Sequence, residues 1–183
     1  LIDATQIRLR ADVPVGAYLS GGLDSSALVS LIHHHSDAPL KTFSIGFDAE
    51  SLDESDYQQM MIDHLQLDHT QIQCSNADVG QHFFDTIWHT ESTVLRTAPT
   101  PMRMLSGLVK SHNYKVVLTG EGADEVLGGY DIFKEAKLRQ FWAQQPNSKW
   151  RHLLLKRLYP YLDISTSKAQ QYTQHFFGIG LDN

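Results

Sequence analysis

The sequence predicts an α/β fold: a doubly wound parallel sheet with helices on both faces, followed by a helical C-terminal part. Short apolar segments alternate with longer segments of helical periodicity along residues 15–120, which is typical of parallel sheets with crossover helices. Glycine-rich turns follow the first and the fourth of these short segments. After Gly129 the alternation ends, and residues 130–162 have helical patterning only.

Four segments are predicted to be strands because they are short and mostly rich in apolar, β-branched or aromatic residues. Their sequences are VGAYLS at residues 15–20, KTFSIGF at 41–47, HTQIQC at 69–74 and YKVVLTG at 114–120. The fourth is apolar along most of its length, so we expect both of its faces to be covered.

Helices are predicted between the strands from apolar residues at spacings of three and four. They cover residues 25–35, 53–67, 77–91 and 101–113. Asp24 or Ser25 would stand at the start of the first helix, and Pro101 suits the first turn of the last.

The C-terminal third is rich in Lys and Arg within residues 130–162. A solvated helical face is the ordinary interpretation, and a basic wall that faces a polyanionic ligand is the alternative. The final stretch, TSKAQQYTQHFFGIGLDN, carries no interpretable signal. We predict an α/β core over residues 1–129 and a helical extension over residues 130–183.

Composition limits the function classes. The 183 residues are 42% hydrophobic and 20% charged, as in ordinary globular proteins. A net charge of −6 argues against a partner that is duplex nucleic acid, and no apolar run approaches a membrane span. Cys74 is the single cysteine, so it forms no disulfide framework or thiolate zinc site, and we expect it to be a core residue in a cytoplasmic protein.

The turn after the first predicted strand has the pattern of an anion site. It reads Ser20-Gly21-Gly22-Leu23-Asp24-Ser25-Ser26. Glycines let backbone N–H groups converge, and the following helix adds its positive end, so a phosphate is the expected ligand. Asp24 would repel phosphate unless a divalent cation lay between them, and Mg²⁺ commonly bridges carboxylates and phosphates. The alternative is an ordinary turn with Asp24 as the helix N-cap.

The turn after the fourth predicted strand is acidic. Glu121, Asp124 and Glu125 lie within five residues, between Gly120 and Gly129. A metal or a cationic substrate group would relieve their repulsion, whereas an acidic helix N-terminus is the simpler interpretation. Because parallel strands end at one edge of the sheet, we expect the two turns to lie together.

These motifs resemble those of a known family. SGGLDSS is similar to the pyrophosphate-loop (PP-loop) signature of the N-type ATP pyrophosphatases. Together with TFSIGF, DESDYQQMMIDHL, RTAPTPM and VVLTGEGADEVLGGY, it resembles the synthetase domain of glutamine-dependent asparagine synthetase, over roughly residues 5–145. The resemblance implies an adenine nucleotide alpha hydrolase-like fold. β-Lactam synthetases and lasso-peptide cyclases share the second motif more loosely, and a non-catalytic nucleotide-binding module is a third possibility.

The resemblance implies an ATP-dependent carbon–nitrogen ligase. The β-carboxylate of aspartate would attack the α-phosphate of ATP, pyrophosphate would leave, and ammonia would displace AMP to give asparagine. ATP and Mg²⁺ are the implied cofactors. Ammonia would come from a glutaminase domain that this chain lacks, and the full-length enzyme would be a cytoplasmic homodimer.

The resemblance also implies roles for individual residues. Asp24 and Asp124 match the Mg²⁺ carboxylates, and Glu121 matches the acid that supports adenylate formation and ammonia attack. Arg96 and Tyr130 match positions near the substrate. The positions that match ATP and pyrophosphate contacts are Leu19, Ser20, Gly21, Gly22, Asp24, Ser25, Ser26, Ile45 and Gly120.

The chain begins with Leu and lacks the family's N-terminal cysteine nucleophile and later phosphate-facing lysine. We therefore expect a fragment of the synthetase domain that is inactive by itself.

Overall fold

The computed structural model describes residues 1–49, 51–160 and 166–180. The chain divides into two compact units, Leu1–Glu121 and Gly122–Asn183. The first unit carries the sheet, and the elements described in the second are all helical. The predicted assignment of residues 1–129 and 130–183 to two parts of a synthetase domain stays a prediction.

The sheet has four parallel strands in the order β3–β2–β1–β4. Their bounds are Val15–Tyr18 for β1, Lys41–Phe47 for β2, Asp68–Cys74 for β3 and Val116–Leu118 for β4. In β1, Ala17 lies opposite Thr42 of β2 and opposite Leu118 of β4. The predicted parallel sheet is confirmed, with a first and a fourth strand shorter than predicted.

Helices cover both faces of this sheet. The first unit contains α1 (Ile2–Arg8), α2 (Leu23–His35), α3 (Ser55–Leu65), α4 (Asn76–Thr90) and α5 (Pro99–Ser111). Residues of α2 and α3 form a core with Ala17 of β1 and with Leu19, which directly follows β1. Leu105 and Val109 of α5 form a separate core with Phe43 of β2. Because successive β-strand residues point to opposite faces, the two cores mark the two faces, and the doubly wound arrangement is confirmed.

The chain reverses direction across the sheet at β1. It builds β2 and then β3 on one side of β1, and returns through α4 and α5 to place β4 on the other side. In open α/β sheets, ligands bind beyond the carboxyl ends of the strands at such a reversal. The connections that follow β1 and β4 therefore define the expected binding edge.

The expectation that β4 is covered on both faces is met in part, because Val117 packs on the core of Phe43, Leu105 and Val109 and Leu118 packs on the opposite core with α2 and α3. β4 is an edge strand that pairs with β1, and Val116 is 39% exposed. An apolar run predicts burial only when neighbouring elements cover it, and that information lies outside the run.

A polar cluster lies between β2 and β3. The Thr42 hydroxyl donates its single proton to the Asp68 carbonyl. Its oxygen must therefore accept the hydrogen bond from Nδ1 of His69, at 2.9 Å. A neutral imidazole then accepts at Nε2 from the Ser44 hydroxyl, also at 2.9 Å. Burial lowers the pKa of His69, the Lys41 ammonium lowers it further, and the Asp68 carboxylate opposes both.

The lowered pKa of His69 predicts acid sensitivity. The imidazole of His69 takes up a proton more readily in the unfolded chain than in the folded protein. The neutral imidazole therefore stabilises the folded state above pH 6.5, the ordinary pKa of histidine, and this stabilisation is lost as the pH falls through the lower pKa of the folded protein. We expect the unfolding free energy of the full-length protein to fall more steeply below pH 6.5 than that of His69→Gln, measured by urea unfolding. His89→Gln, at an exposed position, should behave as wild type, and equal slopes in all three proteins would contradict the prediction.

The second unit has a small core of its own. Its helices are α6 (Ala123–Leu127), α7 (Asp131–Ala143), a 3-10 turn (Arg151–Leu154) that leads into α8 (Leu155–Leu158), and α9 (Ser167–Gly178). Trp142, Leu155 and Tyr159 form the core. The predicted helical patterning of residues 130–162 is thus only partly continuous, and residues 161 and 162 lie outside the described residues.

One member of the predicted basic face is not solvated. Arg151 is only 8% exposed. Its guanidinium carbon lies 4.1 Å from the centre of the Phe141 ring, and Nη1 donates to the Phe141 carbonyl.

Within the described residues, no helix combines the length and apolarity needed to cross a membrane.

Candidate active site

The loop after β1 is closed by its own serines. We define residues 20–26 as the β1 loop. The Ser25 hydroxyl donates to the Gly22 carbonyl at 3.1 Å and accepts from the Ser20 amide at 3.1 Å and the Ser20 hydroxyl at 2.9 Å. The Ser20 oxygen in turn accepts from the Gly22 amide at 3.2 Å. Ser25 is 6% exposed and its single proton is used on Gly22, so in this conformation it shapes the loop.

The first turn of α2 keeps its amide groups open. Gly22 is the N-cap, and no side chain of the described residues caps the helix. Asp24 is the second helical residue, so the interpretation of Asp24 as N-cap is wrong. In contrast, Ser75 caps α4 through the Asp78 amide. The opening amides of a helix have no intrahelical acceptor, and those of α2 therefore fit the predicted anion site.

The two glycines of the β1 loop serve different purposes. Gly21 has φ +89°, and a Cβ there would lie 3.0 Å from Tyr57 Cβ and 3.1 Å from the Glu54 carbonyl. The close approach at Gly21 is thus made by the start of α3. At Gly22 a Cβ would meet only the Ser20 hydroxyl, at 3.3 Å, so Gly22 is the glycine that leaves room for a ligand.

Substitution of the two glycines should separate these purposes. Gly21→Ala should lower the unfolding free energy by roughly 1–3 kcal/mol, because a Cβ combines an unfavourable φ with backbone contacts. Gly22→Ala, at φ −69°, should change the unfolding free energy by less than about 0.5 kcal/mol. Alanine is a poorer N-cap than glycine, but it also lowers the conformational entropy of the unfolded chain, and the two effects offset each other. Urea unfolding of the full-length protein measures both. Equal destabilisation by the two substitutions would contradict the conclusion that Gly21 packs against α3 while Gly22 leaves room for a ligand.

Residues 119–121, which we define as the β4 loop, lie against the β1 loop. A Cβ at Gly120 would lie 3.0 Å from both Asp24 Cβ and the Ser25 amide nitrogen. Gly120, the first residue of the second turn, therefore lies against the β1 loop at the carboxyl ends of β1 and β4, as the sequence predicts. Glu121 follows directly, is exposed, and donates its amide to the Thr119 hydroxyl at 3.3 Å.

Asp24 is available as a metal ligand. Its side chain is partly exposed and accepts no hydrogen bond from the described residues. No group of three or more His, Cys, Asp or Glu side chains in the described ranges is arranged to hold a metal. Mg²⁺ needs only one or two carboxylates when phosphate oxygens complete its shell, so the donor at Asp24 fits Mg²⁺ held jointly with a nucleotide.

Two predicted site residues belong to the second unit. Asp124 lies in the first turn of α6, and a Cβ at Gly129 would lie 1.9 Å from its carboxylate oxygen. The hydroxyl of Tyr130 donates to Glu125 Oε1 at 2.9 Å. The sharing of one cation by Asp24 and Asp124, and the substrate role of Tyr130, stay predictions.

The other predicted contacts differ in accessibility. Leu19 is fully buried in the core, so only its backbone can face ATP. Ile45 is partly buried and packs toward Phe43, and Ser26 is partly exposed on α2. Arg96 is exposed between α4 and α5 and forms no ion pair within the described ranges. Their ligand contacts stay predictions.

Cys74 is a core residue, as expected. It is 2% exposed, and burial raises the pKa of its thiol, with the Asp78 and Asp48 carboxylates raising it further. A raised pKa lowers the thiolate fraction, so Cys74 has none of the character of a nucleophile.

Sequence reasoning missed Gln58 of α3. It is 3% exposed, and its amide contacts the β1 loop through the Ser20 carbonyl at 3.3 Å. A signal was present, because position 58 shares a helix face with Met61, Ile62 and Leu65, which pack in the core. A polar residue on an apolar stripe calls for a buried partner.

The chain is similar in sequence to known proteins. The sequence model of the asparagine synthase family matches residues 1–179. The chain is 34% identical over 135 residues to asparagine synthetase (glutamine-hydrolyzing) 1 of Bacillus subtilis, covering 74% of this chain and 21% of that protein.

Two further relatives match more of this chain. Identity is 31% over 193 residues to amidase chyE of Penicillium rubens, covering 98% of this chain and 27% of that protein. It is 33% over 178 residues to asparagine synthetase (glutamine-hydrolyzing) of Brassica oleracea, covering 91% of this chain and 29% of that protein. The chain thus spans less than a third of the length of each of these relatives.

Proposed function

This chain belongs to the asparagine synthase family, and on that premise we propose that it carries the ATP site of a ligase that forms asparagine from aspartate and ammonia. The observation that carries the proposal is the contact between two family motifs: Gly120 of the β4 loop lies against Asp24 and Ser25 at the start of α2. An open helix start and a free carboxylate lie together at the edge where such sheets bind ligands.

The proposed first step is adenylation. A β-carboxylate oxygen of aspartate bonds to the α-phosphorus of ATP, the bond to the bridging oxygen breaks, and pyrophosphate leaves with the electron pair. The amides of residues 23–25 would hold the pyrophosphate as its charge develops, and the Ser20 hydroxyl, which donates to Ser25, would shape the loop around it. Asp24 and Asp124 would hold Mg²⁺, which when bound neutralises phosphate charge.

The proposed second step forms the amide. Ammonia bonds to the acyl carbon, the bond to AMP breaks, and one proton is lost. Glu121 is exposed in the β4 loop next to Gly120, and we assign it acceptance of that proton and support of the adenylate. Arg96 and Tyr130 are assigned to the binding of aspartate.

We propose the same function for the full-length protein. It would obtain ammonia from a glutaminase domain outside this chain, act as a homodimer in the cytoplasm, and need neither nucleic acid nor membrane. The resemblances and composition described above support these assignments.

The test is pyrophosphate release by the full-length protein with Mg·ATP. We expect release to require aspartate, and ammonium to yield one asparagine per pyrophosphate. Release that depends on a modified amino acid or peptide instead would favour the β-lactam synthetase or lasso-peptide cyclase alternative. Tight ATP binding without turnover would favour a non-catalytic nucleotide-binding module.

A further inference from the structure

The structure assigns Gln58 as a positioning residue for the β1 loop, a role that rests on the proposed function of that loop. Its Nε2 donates to the Ser20 carbonyl at 3.3 Å and to the Ile45 carbonyl at 3.4 Å. Its Oε1 accepts from Nε2 of Gln71 at 3.2 Å. Two carbonyls can only accept, so the orientation of the amide is fixed by its partners.

The amide of Gln58 lies where the β1–β2 ladder ends. The amide of Leu19 donates to the Phe43 carbonyl at 3.0 Å, and Ser20 then leaves the sheet to enter the loop. The next carbonyls on the two strands, those of Ser20 and Ile45, both accept from Gln58. The side chain therefore bridges the two strand ends at the position where backbone pairing has ceased.

The same turn of α3 also contacts the next loop residue. A Cβ at Gly21 would lie 3.2 Å from the backbone nitrogen of Gln58 and 3.0 Å from Tyr57 Cβ. Ser20 is thus held by the side chain of Gln58, and Gly21 rests on the backbone around it. Because Ser20 and Gly22 are joined by a hydrogen bond, a shift of Ser20 is transmitted to the rest of the loop.

The far side of Gln58 is anchored in turn. Gln71 Nε2 also donates to the Ser55 hydroxyl at 3.0 Å, and that hydroxyl donates to Asp53 Oδ1 at 2.6 Å. Asp53 also accepts from the Phe47 amide at 3.4 Å. A chain of hydrogen bonds therefore runs from the end of β2 through α3 and β3 to the β1 loop, and Gln58 is its last link.

Gln58→Met in the full-length protein tests the role, because methionine keeps the shape of the side chain and removes its donor and acceptor. We expect the Kd for Mg·ATP and the KM for ATP to rise about tenfold, with the KM for aspartate unchanged. Hydrogen exchange of residues 20–24 should also become faster. A variant that was merely destabilised would not alter one substrate's KM selectively.

The control is Gln59→Met, at the neighbouring exposed position, whose side chain donates to Asp63 and to no other group of the described residues. It should match wild type in Kd, KM and exchange. Gln58→Asn, with an amide one methylene too short to reach both carbonyls, repeats the comparison if the methionine variant does not accumulate.

The outcomes separate the two hypotheses. Wild type that does not bind Mg·ATP contradicts the proposed function, and the assigned role of Gln58 with it. Wild type that binds, with a folded Gln58→Met of equal affinity and equal exchange, overturns the positioning role and leaves the proposed function intact. Unfolding of both Gln58 variants would assign the residue to stability and also overturn the proposal.

Discussion

Replacing Asp24 with asparagine in the full-length protein is expected to lower Mg²⁺-dependent pyrophosphate release about 100-fold or more. Asparagine keeps the size of the side chain and removes its charge. Asp24 lies beside Gly120 at the start of α2 and accepts no hydrogen bond from the described residues, so its carboxylate is free to bind a cation. Release is measured with saturating ATP and aspartate across a Mg²⁺ titration.

The matched control for this substitution is Asp56→Asn. Asp56 is the second residue of α3, as Asp24 is of α2. Both carboxylates interact with a helix dipole, an effect of about 0.3–1 kcal/mol, but Asp56 lies outside the β1 loop. We expect both variants to lose similar, small amounts of stability, and only Asp24→Asn to lose activity. Unchanged release in Asp24→Asn would show that its carboxylate binds no essential cation.

The sheet and its binding edge could be predicted because they depend on local patterns. The sequence predicts a strand over residues 41–47, which are the observed bounds, and it predicts that the turn beginning at Gly120 starts beside the β1 loop, as observed. Both follow from alternation of strands and helices, which dictates parallel pairing and common strand direction.

The contacts that close the loop could not be predicted, because they depend on atoms from distant parts of the chain. The resemblance matches Gly21 and Ser25 to phosphate contacts, and those contacts stay predictions. What the sequence does not reveal is that the start of α3 lies against Gly21 and that the Ser25 proton is donated to the Gly22 carbonyl. Gln58 looks like a surface residue until its helix face is compared with Met61 and Leu65. Sequence patterns identify which residues approach a site, while packing decides which of them face the ligand.

Glu121→Gln in the full-length protein is expected to lower the turnover of asparagine formation about 100- to 10,000-fold, the range for loss of a positioned general base. The Kd for ATP should change less than about twofold, because the nucleotide is assigned to the β1 loop. Glu121 is exposed, and among the described residues its only hydrogen bond is from its backbone amide to Thr119, so we expect the substitution to leave the fold intact.

The two half-reactions distinguish the possible roles of Glu121. A single-turnover pyrophosphate burst with aspartate and no ammonium reports adenylation, and added ammonium then reports amide formation. We expect both to slow in Glu121→Gln, because one carboxylate is assigned to both steps. Glu91→Gln, at an exposed position after α4, should leave both unchanged. A group that acts only in the transition state alters the rate without altering the affinity for the ground state. If Glu121→Gln weakened ATP binding as much as turnover, the carboxylate would therefore act on the nucleotide rather than at the acyl carbon.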